Sequence, residues 1–159
     1  DAMGGDNAPD DILAGTVMAV GDYTDVIATL VGPEDMLREK IKRYNYDQGR
    51  IQFLDAQDVI TNDEKPVTAV RRKKESSIVK GMDMLANVQA DGFVSAGSTG
   101  AVLAAATLIL KRAEGIYRPA LAPVLPTAKG GVLLIDCGAN VDCKPEYLAQ
   151  FALMGSTSM

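Results

Sequence analysis

The chain of 159 residues contains no histidine. That removes the usual general base, the usual partner of a serine or cysteine nucleophile, and the commonest metal ligand. Any catalysis falls to carboxylates, lysines, amides, hydroxyls and backbone dipoles. Cysteine is scarce: Cys137 and Cys143 stand without a CxxC pattern. They read as reduced thiols of a cytosolic protein, neither a disulfide nor a zinc site. Without histidine, small buried thiols are a better reading of them than nucleophiles. Long apolar runs are missing too. The longest, Ala101 to Leu110, covers about ten residues and is too short to span a bilayer. No stretch carries the pattern of a secretory signal. Basic charge is in deficit, with a net charge of −5, which argues against nucleic acid as the main partner.

What is present suits a globular α/β protein: 47% apolar and 23% charged residues, and enough length for one ordinary domain with a real core. The apolar period alternates between strand and helix. Leu13, Val17 and Val20 predict a helix over 9–20, opened by Pro9 and two aspartates. A strand is expected over 26–31, a helix from Pro33 with Leu37, Ile41 and Tyr44 on one face, and a strand over 51–54. Residues 55–66 read as a loop. Ile78, Val79, Met82, Leu85 and Ala86 mark an amphipathic helix. Residues 91–94 read as a buried strand and 101 to about 112 as a buried helix. Strands are expected at 120–125 and 132–135, the first irregular or at an edge because of Pro123 and Pro126, and a helix over 145–154. Such alternation predicts a parallel sheet covered on both faces, with ligands at the carboxyl ends of its strands.

Three glycine-bearing polar loops fall at expected strand ends. Ser95-Ala96-Gly97-Ser98-Thr99-Gly100 lies between strand and helix. Small residues let an anion approach the backbone, and Ser95, Ser98 and Thr99 add hydroxyl donors to the free N–H groups of a helix start. The same residues also suit a plain turn with a helix cap. The loop is neither a Walker A motif nor GxGxxG. In Asp1-Ala2-Met3-Gly4-Gly5-Asp6, two carboxylates flank a Gly-Gly turn. It reads either as a βα loop in which Asp6 begins the next helix or as a substrate or cation contact. In the third loop, Asn140 and Lys144 suit an oxyanion; equally, Asn140 suits a left-handed turn and Asp142 a cap for the helix that Pro145 opens. The run Arg71-Arg72-Lys73-Lys74 is either solvated surface or a docking patch for an acidic partner or a phosphate.

Together these motifs resemble a family. Asp-Ala-Met-Gly-Gly-Asp at 1–6, Pro66-Val67, the run from Arg71 to Ser77 and Phe93 to Ala101 are similar to the bacterial phosphate acyltransferases of phospholipid synthesis, the PlsX family. So are Arg118-Pro119-Ala120, Asp136 to Asn140, Lys144 to Leu148 and Met154-Gly155. The resemblance runs in order along the whole chain. It implies that 1–159 is the N-terminal part of a single acyltransferase domain, trimmed at both ends. The implied fold is a three-layer parallel-sheet α/β sandwich like phosphate acetyltransferases and isocitrate-type dehydrogenases. The implied reaction transfers a long-chain acyl group from acyl carrier protein to inorganic phosphate, giving acyl phosphate.

Carried onto this sequence, the resemblance makes Ser95, Gly97, Ser98, Thr99 and Gly100 the phosphate-binding loop. It makes Asn140, Lys144 and Asp6 the candidate catalytic residues, with Arg71, Arg72, Lys73 and Lys74 as a carrier-protein surface. Phosphate, already an anionic nucleophile, needs orientation more than deprotonation, and no acyl-enzyme is required. A homodimer is implied, without organic cofactor or metal, cytoplasmic or peripheral to the inner face of the membrane and associated there with a downstream acyltransferase. Two positions depart from the family: Asn7 stands where histidine is usual, and Ser98 where asparagine is usual. The rival readings are an acetyl- or butyryltransferase-like enzyme using acyl-coenzyme A, and a non-catalytic carrier-protein or lipid-binding regulator. A dehydrogenase fits less well, since fold similarity alone does not carry function.

Overall fold

The computed structural model describes residues 1–158, the Ser158 side chain excepted. The chain divides into two compact units, Asp1–Leu110 and the residues from Lys111 onward. The first contains α1 (Asp10–Asp22), β1 (Ala28–Gly32), α2 (Glu34–Ile41), β2 (Ile51–Asp55), α3 (Pro66–Arg72), α4 (Ser77–Ala86) and α5 (Thr99–Ala105). A π-helical turn, Ala106–Leu110, continues α5. The second contains β3 (Val124–Thr127), β4 (Gly130–Leu133) and α6 (Pro145–Ser158). The class is mixed α/β with a small parallel sheet.

In the first unit, β1 and β2 pair in parallel from Ala28↔Ile51 to Gly32↔Asp55, and α2 makes the crossover that parallel pairing requires. Pro33 stops β1 and precedes α2, whose first turn is acidic; Asp55 Oδ1 accepts the Glu34 N–H at 3.0 Å. One core gathers Leu13 and Val20 of α1, Leu30 of β1, Leu37 and Ile41 of α2, and Ile51 of β2. A second gathers Ala69 and Val70 of α3, Ile78, Val79 and Met82 of α4, and Ala101, Ala104 and Ala105 of α5. The i, i+3, i+4 spacing of those alanines gives α5 one narrow buried stripe, which lets α3 and α4 approach closely.

Several expectations need correction. Residues 91–94 are neither strand nor buried. Val94 is 85% exposed, and the Phe93 ring packs so tightly on α4 that a Cβ at Gly81 would lie 2.1 Å from it. The apolar character of this stretch thus serves side-chain packing, not a ladder. Residues 101–110 are not one buried helix: the regular helix ends at Ala105, and Leu108 and Leu110 are exposed. Helix α3 starts at Pro66, the last residue of the stretch expected as loop, and covers residues for which no element was expected. It is short, with Pro66 at its first position and only Ala69 and Val70 buried. The two later strands form an antiparallel hairpin, not parallel members of one sheet. Thr127 pairs with Gly130, and the two residues between them leave no room for a crossover. Leu134 N–H to Pro123 O, at 3.0 Å, and Cys137 N–H to Leu121 O, at 2.9 Å, extend that pairing. Asp6 does not begin a helix; α1 starts at Asp10 behind Pro9.

Backbone bonds also place loops beside the parallel pair. The Ala2 N–H donates to Val31 O at 2.9 Å, and the Asp1 nitrogen donates to Val94 O at 2.9 Å. The segments 94–95, 1–2, β1 and β2 therefore lie side by side in that order. The Gly-Gly loop leaves at the carboxyl end of β1, where a Cβ at Gly32 would lie 3.2 Å from Met3 Cγ.

Candidate functional site

The Gly-Gly loop and the Ser95–Gly100 loop press together backbone to backbone. The Asp1 carboxylate lies at their junction. Its Oδ1 accepts the Met3 N–H at 3.0 Å and its Oδ2 accepts the Ser95 hydroxyl at 2.6 Å. Ser95 Oγ in turn accepts the Gly97 N–H at 3.1 Å. Gly4 is buried here because nothing larger fits: a Cβ on it would lie 2.7 Å from the Gly97 nitrogen. Gly5 adopts φ +102°, a conformation favouring glycine, and its missing Cβ would lie 3.3 Å from Ala96 Cβ.

The residues expected to bind phosphate fall into two groups. Ser95 and Gly97 are taken up by the junction just described. Ser98 caps α5, its Oγ accepting the Ala101 N–H at 3.3 Å, so the cap reading of that residue holds. Thr99 and Gly100 are exposed, and among the described residues their N–H groups have no protein acceptor. Gly100 is held by α3: a Cβ there would lie 2.9 Å from Pro66 Cγ.

Beside the loops, Gly4 to Ala8, Asp11, Ile12 and Ala96 line a cleft of about 330 Å3. Its charged groups are the Asp6 and Asp11 carboxylates, and Asn7 Nδ2 donates to Asp11 Oδ2 at 2.8 Å. Asn7 therefore serves in hydrogen bonding. An acidic lining disfavours an anion in the cleft itself. Among the described residues, no three metal-ligating side chains come together. Among them, too, no helix is long and apolar enough to cross a membrane.

The basic run is not uniform. Arg71 and Arg72 end α3 and Lys74 follows it; all are exposed and none forms an ion pair among the described residues. Lys73 is half-buried and turned inward, donating to Val59 O and Glu64 Oε1, both at 2.6 Å. That hydrogen bond is the main reason the Glu64 carboxyl lies below its ordinary value. Lys73 fastens the loop before α3.

In the second unit, Asn140 is half-buried. Its Nδ2 donates to Pro119 O at 2.9 Å and Asp136 Oδ2 at 3.1 Å, and its N–H donates to the same Oδ2 at 2.7 Å. The left-handed turn belongs to Gly138, at φ +93°, not to Asn140. Asp136, part of the motif named above but given no role of its own there, organises this loop. Burial pushes its pKa up, but the N–H donors of Leu121, Asn140 and Ala139 and the Asn140 amide outweigh that and hold it below 3.8. Lys144 is exposed just ahead of α6, its carbonyl accepting the Tyr147 N–H at 2.9 Å. No ion pair engages its ammonium among the described residues. Arg118 lies over the Tyr147 ring, 5.8 Å from its centroid. Cys137 is exposed and Cys143 half-buried, both as free thiols, so neither is the buried residue expected.

Residues 1–158 match the family described as fatty acid synthesis protein. The chain is 50% identical over 155 residues to a phosphate acyltransferase of Clostridium novyi (strain NT), covering 98% of this chain and 47% of that protein. It is 48% identical over 156 residues to a phosphate acyltransferase of Clostridium botulinum (strain Alaska E43 / Type E3), with the same coverage. A phosphate acyltransferase of Clostridium tetani (strain Massachusetts / E88) is 45% identical over 155 residues, 98% of this chain and 46% of that protein. The chain spans about half the length of the curated relatives it matches.

Proposed function

The chain belongs to the fatty acid synthesis protein family, and from that premise we propose that the whole protein transfers an acyl group to inorganic phosphate. The observation that carries this reading is that relatives 45–50% identical across 98% of the chain are named phosphate acyltransferases. The paired glycine loops support it, because the backbone donors at Thr99 and Gly100 beside them have no acceptor among the described residues.

In the proposed reaction a phosphate oxygen attacks the carbonyl carbon of an acyl thioester. A C–O bond forms, the C–S bond breaks, and the thiolate leaves and takes up a proton. Thr99 and Gly100 orient the nucleophile, while Ser95, Gly97 and Ser98 shape the loop that presents them. Asn140 and Lys144 are assigned to the developing oxyanion and Asp6 to the cleft that receives the uncharged thioester arm. No acyl-enzyme forms. Acyl carrier protein is the proposed donor, with Arg71, Arg72 and Lys74 as its docking surface, since exposed cations speed encounter with an acidic partner. The remaining proposals are a homodimer, a three-layer sandwich of which this chain is the N-terminal part, and a cytoplasmic location beside the membrane.

The test is phosphate-dependent thiol release by the full-length protein, with acyl carrier protein and acyl-coenzyme A offered in parallel. Faster release from the carrier protein is expected. Preference for coenzyme A would assign the acetyl- or butyryltransferase-like reading, and unchanged turnover after Thr99→Ala and Lys144→Ala would overturn the site.

A further inference from the structure

We propose that Asp1 is a positioning residue for the phosphate loop, acting through Ser95; the kinetic part of this inference rests on the acyltransfer reading above. A carboxylate beside an anion site is unfavourable unless its charge is engaged elsewhere. That of Asp1 is engaged twice: Oδ1 takes the Met3 N–H at 3.0 Å and Oδ2 takes the Ser95 hydroxyl at 2.6 Å. The Ser95 hydroxyl donates to Asp1, so its oxygen is polarised toward the Gly97 N–H that it accepts at 3.1 Å. The result is a directional relay from Gly97 through Ser95 to Asp1. It links residues 94 positions apart in the chain.

The fit around the relay is close. Beside Gly4, the Gly97 nitrogen, Ser95 Oγ and Asp1 Oδ2 would all lie within 2.6–2.9 Å of an added Cβ. Gly5 meets Ala96 less tightly, an added Cβ lying 3.3 Å from Ala96 Cβ. The relay consumes the donors of Ser95 and Gly97 and delivers Ser98 to its capping position. What remains for the ligand is Thr99 and Gly100. Asp1 thus touches no reacting atom; it holds in advance the loop whose later N–H groups meet phosphate.

The experiment uses the full-length protein with Asp1→Ala, Ser95→Ala and the double variant. Amide exchange over residues 96–100 reads the relay without any assumption about activity. It should accelerate in each single variant and no further in the double, because the two side chains act as one unit. Unchanged exchange overturns the proposal. In the kinetic arm, KM for inorganic phosphate should rise about tenfold, the effect of one charge-assisted hydrogen bond, with KM for the acyl donor and kcat nearly unchanged. Ser95→Thr, which keeps the hydroxyl, should restore it. Loss of kcat at unchanged phosphate KM makes Asp1 merely structural and overturns the proposal. Asp1→Asn keeps the shape and reports on the charge even where Asp1→Ala fails to fold. If the wild-type protein shows no phosphate-dependent turnover, the acyltransfer reading fails and the exchange arm alone decides the relay.

Discussion

Replacing Gly4 with alanine should damage this protein far more than one methyl group suggests. The new Cβ would lie 2.7 Å from the Gly97 nitrogen, roughly 0.7 Å inside an ordinary 3.4 Å contact. The Asp1 and Ser95 side chains can rotate, but the Gly97 nitrogen is backbone, so the loop itself must retreat. Overpacking of this kind costs about 1–3 kcal/mol. A retreat of that size also stretches the 2.6 Å bond from Ser95 to Asp1, and weakening a charge-assisted hydrogen bond adds about 1–2 kcal/mol. The two terms share one displacement and do not simply add, so the expected loss is roughly 2–4 kcal/mol. Gly15 is the control. It is exposed within α1, with no atom of the described residues within 4 Å of an added Cβ, so Gly15→Ala should stabilise by about 1 kcal/mol. Urea midpoints of the full-length protein, at unchanged slope, read both. A Gly4→Ala variant within about 0.5 kcal/mol of wild type would refute the close packing of the two loops.

Ser76→Ala should lower stability by about 1 kcal/mol, since Ser76 is fully buried and its Oγ caps α4 through the Val79 N–H; urea unfolding checks it. Asp136 is held below its ordinary pKa, so it stabilises the folded form above 3.8, and that contribution is lost as pH falls below that value through the depressed one. Asp136→Asn should therefore flatten the acid limb of the stability curve below about pH 4, with no change in slope near neutrality; an unchanged acid limb contradicts the assignment. Reversing Arg71, Arg72 and Lys74 to glutamate should raise KM for an acidic carrier protein at least about tenfold at low salt. The effect should shrink as salt rises and leave phosphate KM alone.

The elements that could be read from the sequence are those whose periodicity meets a packing partner. Of the residues their spacing selects, helices α1, α2 and α4 bury Leu13, Val20, Leu37, Ile41, Ile78, Val79 and Met82, while Val17 and Leu85 are half-buried and Ala86 is exposed; β1 and β2 carry the apolar runs that parallel pairing needs. The Phe93-Val94 stretch misled because apolar content records side-chain packing, here Phe93 against Gly81, as readily as strand pairing. Helix α3 escaped because a helix with two buried residues has no period to detect. At the site, the loops were recognisable by their Gly, Ser and Thr content. The division of labour within them was not, since it depends on which donors Asp1 and the α5 cap consume. Lys73 shows the same limit: one member of a basic run turns inward only because Val59 and Glu64 wait there.

The most direct test of the central claim follows the oxygen atoms. The full-length protein is given acyl carrier protein thioester and phosphate labelled with 18O at every position. If phosphate itself attacks the thioester, the acyl phosphate formed keeps all four labelled oxygens and one thiol appears per acyl phosphate. Free fatty acid carrying solvent oxygen, with the labelled phosphate left untouched, would contradict it.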